Sequence, residues 1–228
     1  MAQMELNLDA FVEANQHLKL DDLSLPGIIT ISGLSGVEGF SLSYDGRAPS
    51  FTEKDLELAI ASAMGIRFAI SITPRAELLQ LALNLPVKQV TFVADNLFED
   101  FGADLETFIP QLKDAGKLIS FCLDPDITLL KKAYRLGADL VELDVKHYSE
   151  NTSAAGQAEA QEQIALMSRT AEKNGIGVAV NGGINFQNML PLTNIEAVEN
   201  IVVGRAILSR SIFVGLETAI RDFKAQVV

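Results

Sequence analysis

The stretch LVELDVK, residues 140–146, carries Glu142, Asp144 and Lys146 among apolar residues. In an extended segment Glu142 and Asp144 share one face, while Val141 and Leu143 share the other. A carboxylate on an inner face is unfavourable unless paired or hydrogen-bonded. Glu142 is therefore either a functional acid–base group or half of a structural ion pair with Lys146. Together with Asp9, the candidate catalytic set is Asp9, Glu142, Asp144 and Lys146. Such a set suits proton transfers in enolisation, aldol or decarboxylation chemistry.

Two glycine turns speak to the substrate. VNGGIN brings Asn181, Gly182 and Gly183, and VVGRAI brings Gly204 and Arg205. Backbone N–H groups at a glycine turn and at a helix N-terminus attract anions, so these five are the candidate phosphate-binding residues. The plainer alternative is that both are simple chain reversals and that Arg205 pairs with a surface carboxylate. Asn7, Ser43, Arg47 and Ser71 complete the expected site as substrate-binding positions. Asp95 and Asp124 read as N-caps of the helices that follow them.

These residues are far apart in sequence, so a repeated scaffold must gather them. One unit recurs: an amphipathic helix, a glycine, then a short β-branched run, as in AIASAMG-IRFAISI and IPQLKDAG-KLISFCL. Gly65, Gly116, Gly137 and Gly175 fall where a helix C′ residue belongs. The runs MELNL, GFSLSY, RFAISI, QVTFVA, LISFCL, LVELD, GVAVN and NIVVG make eight candidate strands. Apolar strands alternating with helices imply a parallel sheet. Eight such units in 228 residues predict one (β/α)8 TIM barrel spanning residues 1–228, with a short extra helix from Ala206 before the last one. A doubly wound open sheet is the alternative. SLPGIITISG is ambiguous, since IITI resembles a strand; the barrel requires a helix there, with Pro26 in its first turn.

Composition narrows the function. The formal charge is −12, from 18 basic and 30 acidic residues, which disfavours nucleic acid and anionic membranes as partners. A small phosphorylated metabolite stays compatible, because oriented amides outweigh distant surface charge. The single Cys122 excludes an intramolecular disulfide or Cys-rich metal site, and no metal ligand set is expected. MAQMELNLDA lacks the basic and apolar regions of a signal peptide, so a cytoplasmic protein is expected.

The chain resembles the pyridoxine 5′-phosphate synthase family. VVGRAILSRSIFVGLETAIRDFK is similar to that family's eighth strand and last helix, LGADLVELDVKHYS to its sixth strand, and MELNLDAF to its first. FCLDPD and GINFQNM follow its spacing. The resemblance implies a (β/α)8 barrel that condenses 1-deoxyxylulose 5-phosphate with 3-amino-2-oxopropyl phosphate, without metal or redox cofactor, in a homo-oligomer. It implies family roles for Asn7, Asp9 and Glu142, the last as a transition-state stabiliser. It also exposes departures, because the family has histidine at the positions of Ala10, Ser43 and Gly182, and a catalytic Glu at Ser71. The two histidines present, His17 and His147, lie in a polar segment and beyond the sixth strand. The resemblance therefore implies that the family reaction is lost or altered.

Overall fold

The computed structural model describes residues 2–20, 23–47 and 51–227. Its elements run β1 (Gln3–Asn7), α1 (Asp9–Leu18), α2 (Leu25–Leu34), β2 (Gly39–Ser43), α3 (Glu53–Ser62), β3 (Arg67–Ile72), α4 (Ala76–Asn84), β4 (Gln89–Phe92), α5 (Leu97–Asp114), β5 (Leu118–Leu123), α6 (Ile127–Arg135), β6 (Leu140–Asp144), α7 (Lys146–Ser149), α8 (Ala154–Lys173), β7 (Gly177–Asn181), α9 (Leu190–Thr193), β8 (Asn200–Val203), α10 (Arg205–Val214) and α11 (Leu216–Val227). The eight strands pair in sequence order, all parallel, and β8 closes on β1 through Met4 and Ile201. The structure is thus a closed (β/α)8 barrel and not an open sheet.

Local signals explain the register. Gly65, Gly116, Gly137 and Gly175 all take positive φ, ending a helix and turning the chain into the next strand. IITI lies in α2, where the Ser24 side chain accepts from Gly27 N at 3.2 Å and Pro26 occupies the first turn. Thr52 and Asp55 cap α3 reciprocally. The helix expected as a short turn from Ala206 is a ten-residue helix, α10.

Strand alternation splits the side chains into two populations. Leu6, Phe40, Ile70, Phe92, Phe121, Val141, Val180 and Ile201 are fully buried between barrel and helices and form the apolar core. The opposite face carries Glu5, Ser41, Arg67, Gln89, Thr91, Ser120, Glu142 and Asn200. Arg67 on β3 bonds Glu5 on β1 and Asn200 on β8, contacts that cross the barrel interior. Barrel interiors are commonly filled by branched apolar side chains; this one mixes these polar groups with Ala69, Leu140, Ala179 and Val202.

Candidate functional site

A cavity of about 620 Å³ opens at the C-terminal ends of the strands. Its walls include Asn7, Asp9, Ser43, Ser71, Glu142, Asp144, Lys146, Asn181, Gly182, Gly183, Gly204 and Arg205. Of the residues expected to be catalytic, substrate-binding or phosphate-binding, Arg47 alone stands outside these walls. It is exposed in the loop after β2, and its N–H donates to Asp45 Oδ1 at 2.8 Å.

Asp9, the first residue of α1, ties β1 to β2. Its Oδ1 accepts from Ser43 N at 2.6 Å, and its Oδ2 from Ser43 Oγ at 2.7 Å and Asn7 Nδ2 at 3.2 Å. The Ser43 hydroxyl is therefore hydrogen-bonded to a carboxylate.

Across the cavity, Glu142 accepts from Asn181 Nδ2 at 2.7 Å. The other end of that amide, Oδ1, accepts from Gly182 N at 2.7 Å, which fixes its orientation. Glu142 is 4% exposed. Burial, then the charges of Glu5, Asp9 and Asp144, push its carboxyl up to about 7 against the Asn181 hydrogen bond. At neutral pH this group can both give and take a proton.

The ion pair between Glu142 and Lys146 is not formed. Lys146 Nζ instead meets Asp144 Oδ2 at 2.9 Å, and its backbone N–H meets Asp144 Oδ1 at 2.9 Å. The hydrogen bond to Asp144 raises the Lys146 pKa, so the side chain is a cation at the cavity wall. Gly182 leaves room for this clasp: a Cβ there would stand 2.5 Å from Asp144 Oδ1.

The two glycine turns converge. Gly182 and Gly183 have φ of 111° and 71°, and a Cβ on Gly183 would collide with the Ser149 hydroxyl. Gly204 opens α10 with no side chain capping its N-terminus, and Arg205 and Ala206 line the cavity beside it. A Cβ at Gly204 would lie 2.6 Å from the Asn7 carbonyl oxygen, so only glycine fits between β8 and β1.

Asp95 and Asp124 do not cap their helices. Asp126 does so for α6, accepting from Thr128 N at 2.5 Å, because it directly precedes the first helical residue. Asn96 precedes α5 without a side-chain bond. His17 and His147 are exposed, and neither lines the cavity.

Sequence reasoning missed Glu13 at the cavity wall, Cys122 and Glu5. Cys122 is the register neighbour of Glu142. Burial first, and then the charges of Glu142 and Asp144, push its thiol up, so it stays protonated. Glu5 shares the face of Asn7 within β1, a signal the alternation of MELNL already holds.

Fold and cavity define a (β/α)8 barrel with a polar pocket at the C-terminal strand ends, the face that serves as the active site in enzymes of this architecture. Residues 43–228 match the family described as pyridoxal phosphate biosynthesis protein PdxJ, and the chain belongs to that family. A pyridoxine 5′-phosphate synthase of Syntrophobacter fumaroxidans is 25% identical over 237 residues, covering 100% of this chain and 99% of the relative. One from Chlorobium chlorochromatii is 30% identical over 181 residues, 78% of this chain and 74% of the relative. Among solved structures, thiamine phosphate pyrophosphorylase from Pyrococcus furiosus superposes with a TM-score of 0.67 at 14% identity, over 99% of this chain and 95% of that one. That likeness concerns the fold alone.

Proposed function

We propose that the cavity binds a small phosphorylated metabolite, its phosphate seated on the loops after β7 and β8, and that Glu142 transfers protons to and from it. The observation that carries this reading is the convergence of Gly182–Gly183 with the uncapped N-terminus of α10 on one cavity that also holds Glu142. No histidine lines that cavity. Proton transfer therefore falls to carboxyl groups, with Lys146 as the cation that steadies developing negative charge. On this reading the ring closure performed by the pyridoxine 5′-phosphate synthases is replaced by enolisation, aldol or decarboxylation chemistry on a sugar phosphate. The protein acts without metal or redox cofactor. It self-associates through apolar side chains such as Ile212 and Phe213, which are 75% and 83% exposed. It works in the cytoplasm; among the described residues no helix is long and apolar enough to cross a membrane.

The test is a panel of triose, tetrose and pentose phosphates, read by thermal shift and by turnover. Stabilisation with turnover that Glu142→Gln abolishes is the expected result. Stabilisation without any reaction, with Glu142→Gln affecting binding alone, makes the protein a phosphometabolite-binding barrel. No stabilisation by any phosphate ends the proposal. The relatives' own reaction is the second reading, favoured by the family match and by Asn7, Asp9 and Glu142. Restored growth of a pyridoxine auxotroph would establish it.

A further inference from the structure

Glu142 is not the sole carboxyl inside the barrel. Glu5, on β1, is 2% exposed at the barrel floor and pairs with Arg67 Nη2 at 2.7 Å. Arg67 also donates to Gln89 Oε1 and Asn200 Oδ1, both at 2.9 Å. The pair passes over Gly39, where a Cβ would stand 3.0 Å from Arg67 Nη2 and 3.2 Å from Glu5 Oε2. A glycine at this point of β2 is what lets β1 and β3 join across it.

Counting charge gives the consequence. Among the described residues on the inner strand face, Glu5 and Glu142 are buried carboxyls and Arg67 is the cation that reaches the floor. Arg67 is committed to Glu5. At the mouth, Lys146 is committed to Asp144, and Glu142 is held by the neutral amide of Asn181. Glu142 has no cation of its own. Two buried carboxylates served by one guanidinium do not both ionise near neutral pH.

We propose that Glu5 is a positioning residue for the proton on Glu142: its carboxylate, kept ionised by Arg67 at the barrel floor, compels Glu142 to hold a proton and to face the cavity as a carboxylic acid. This rests on the reading of Glu142 as the site's proton-transferring group. The groups facing Glu142 are consistent with it. Glu5 on β1, Asp9 and Glu13 on α1 and Asp144 on β6 are acids, and Cys122 on β5 is a neutral thiol. The cations are Arg67 on β3, Lys146 on α7 and Arg205 on α10, the first two engaged by Glu5 and Asp144. After burial, Glu5 acts on Glu142 more strongly than Asp9 or Asp144 does. Besides Arg67, the Ser41 hydroxyl favours the ionised form of Glu5. Burial raises the Glu5 carboxyl too, and Arg67 offsets part of that rise.

The experiment is carboxyl 13C NMR of the full chain labelled at glutamate Cδ, with Glu142 assigned through Glu142→Gln and Glu5 through Glu5→Gln. The unaltered protein is expected to ionise Glu5 before Glu142, with Glu142 titrating near neutral pH. Glu5→Gln should lower the Glu142 midpoint by about one pH unit or more, the range for a single nearby charge. Glu5→Asp, which keeps the charge, should hold it. A Glu142 midpoint unmoved in Glu5→Gln overturns the role of Glu5 and leaves the reading of Glu142 intact. A Glu142 that ionises below about pH 5 in the unaltered protein, near an ordinary carboxyl, overturns both. If Glu5→Gln does not fold, a titrating buried carboxyl that survives in Glu142→Gln is Glu5, and the order of the two midpoints decides: Glu142 ionising first refutes the proposal.

Discussion

Glu142→Gln should make the protein more stable at neutral pH, and the gain should depend on pH in a defined way. In the unfolded chain Glu142 ionises near its ordinary 4.5, whereas in the barrel it does so at about 7. Below 4.5 both states hold the proton and the group adds no pH dependence. Between 4.5 and 7 the unfolded state releases the proton and the folded state does not, so stability falls as pH rises. Above 7 both states are ionised and the penalty stays constant. Moving a carboxyl over that interval corresponds to about 3 kcal/mol. The amide introduced by Glu142→Gln would carry no such penalty, and its oxygen could still accept from Asn181 Nδ2, replacing the present 2.7 Å contact. Urea unfolding of both proteins at pH 5, 6, 7 and 8 gives the difference directly, and the other titrating groups largely cancel in it. The variant's advantage should be small at pH 5 and approach about 3 kcal/mol at pH 8, which for this chain length is roughly 6–12 °C in Tm. A difference that does not change with pH would refute the assignment of a neutral Glu142 at the base of the cavity.

Three further outcomes follow from single contacts. Gly204→Ala places a Cβ 2.6 Å from a backbone carbonyl that cannot turn aside, and thermal melts should show a loss of about 1–3 kcal/mol. Arg67→Met leaves Glu5 buried without its cation and should destabilise the barrel by about 3–5 kcal/mol at pH 7. Part of that loss should return at pH 5, where the raised Glu5 carboxyl can take up a proton; urea midpoints at the two values check this. Arg205→Ala should weaken inorganic phosphate about tenfold, with a smaller effect in 0.5 M salt than in 0.05 M, by isothermal titration.

The barrel was legible because β3, β5, β6 and β7 each follow a glycine that takes positive φ at the end of the preceding helix. α2 was legible through Ser24 and Pro26, which outweigh the strand-like IITI between them. The cavity was legible because strand ends in a closed barrel necessarily face one another. What the sequence withheld was pairing across elements. Glu142 and Lys146 stand four apart, a spacing that would meet on a helix, but the chain leaves β6 at Asp144 and that carboxylate clasps Lys146 first. Asp124 and Asp126 flank Pro125 with equal claims to cap α6, and the position of the first helical residue decides between them. Glu5 and Arg67 are 62 residues apart, and they become partners only once β1, β2 and β3 are adjacent with a glycine between.

The chemistry of the rim follows from one glycine. At position 182 the chain has a glycine with φ of 111°. A Cβ there would stand 2.5 Å from Asp144 Oδ1 and 3.1 Å from the Lys146 backbone N, the two atoms that form the base of the Asp144–Lys146 clasp. The clasp and a side chain at 182 thus exclude each other. A side chain at 182 would displace the Asp144 carboxylate, and the φ of 111° would strain it besides. Shortening residue 144 would free Lys146 and remove from Glu142 the negative charge on its own strand.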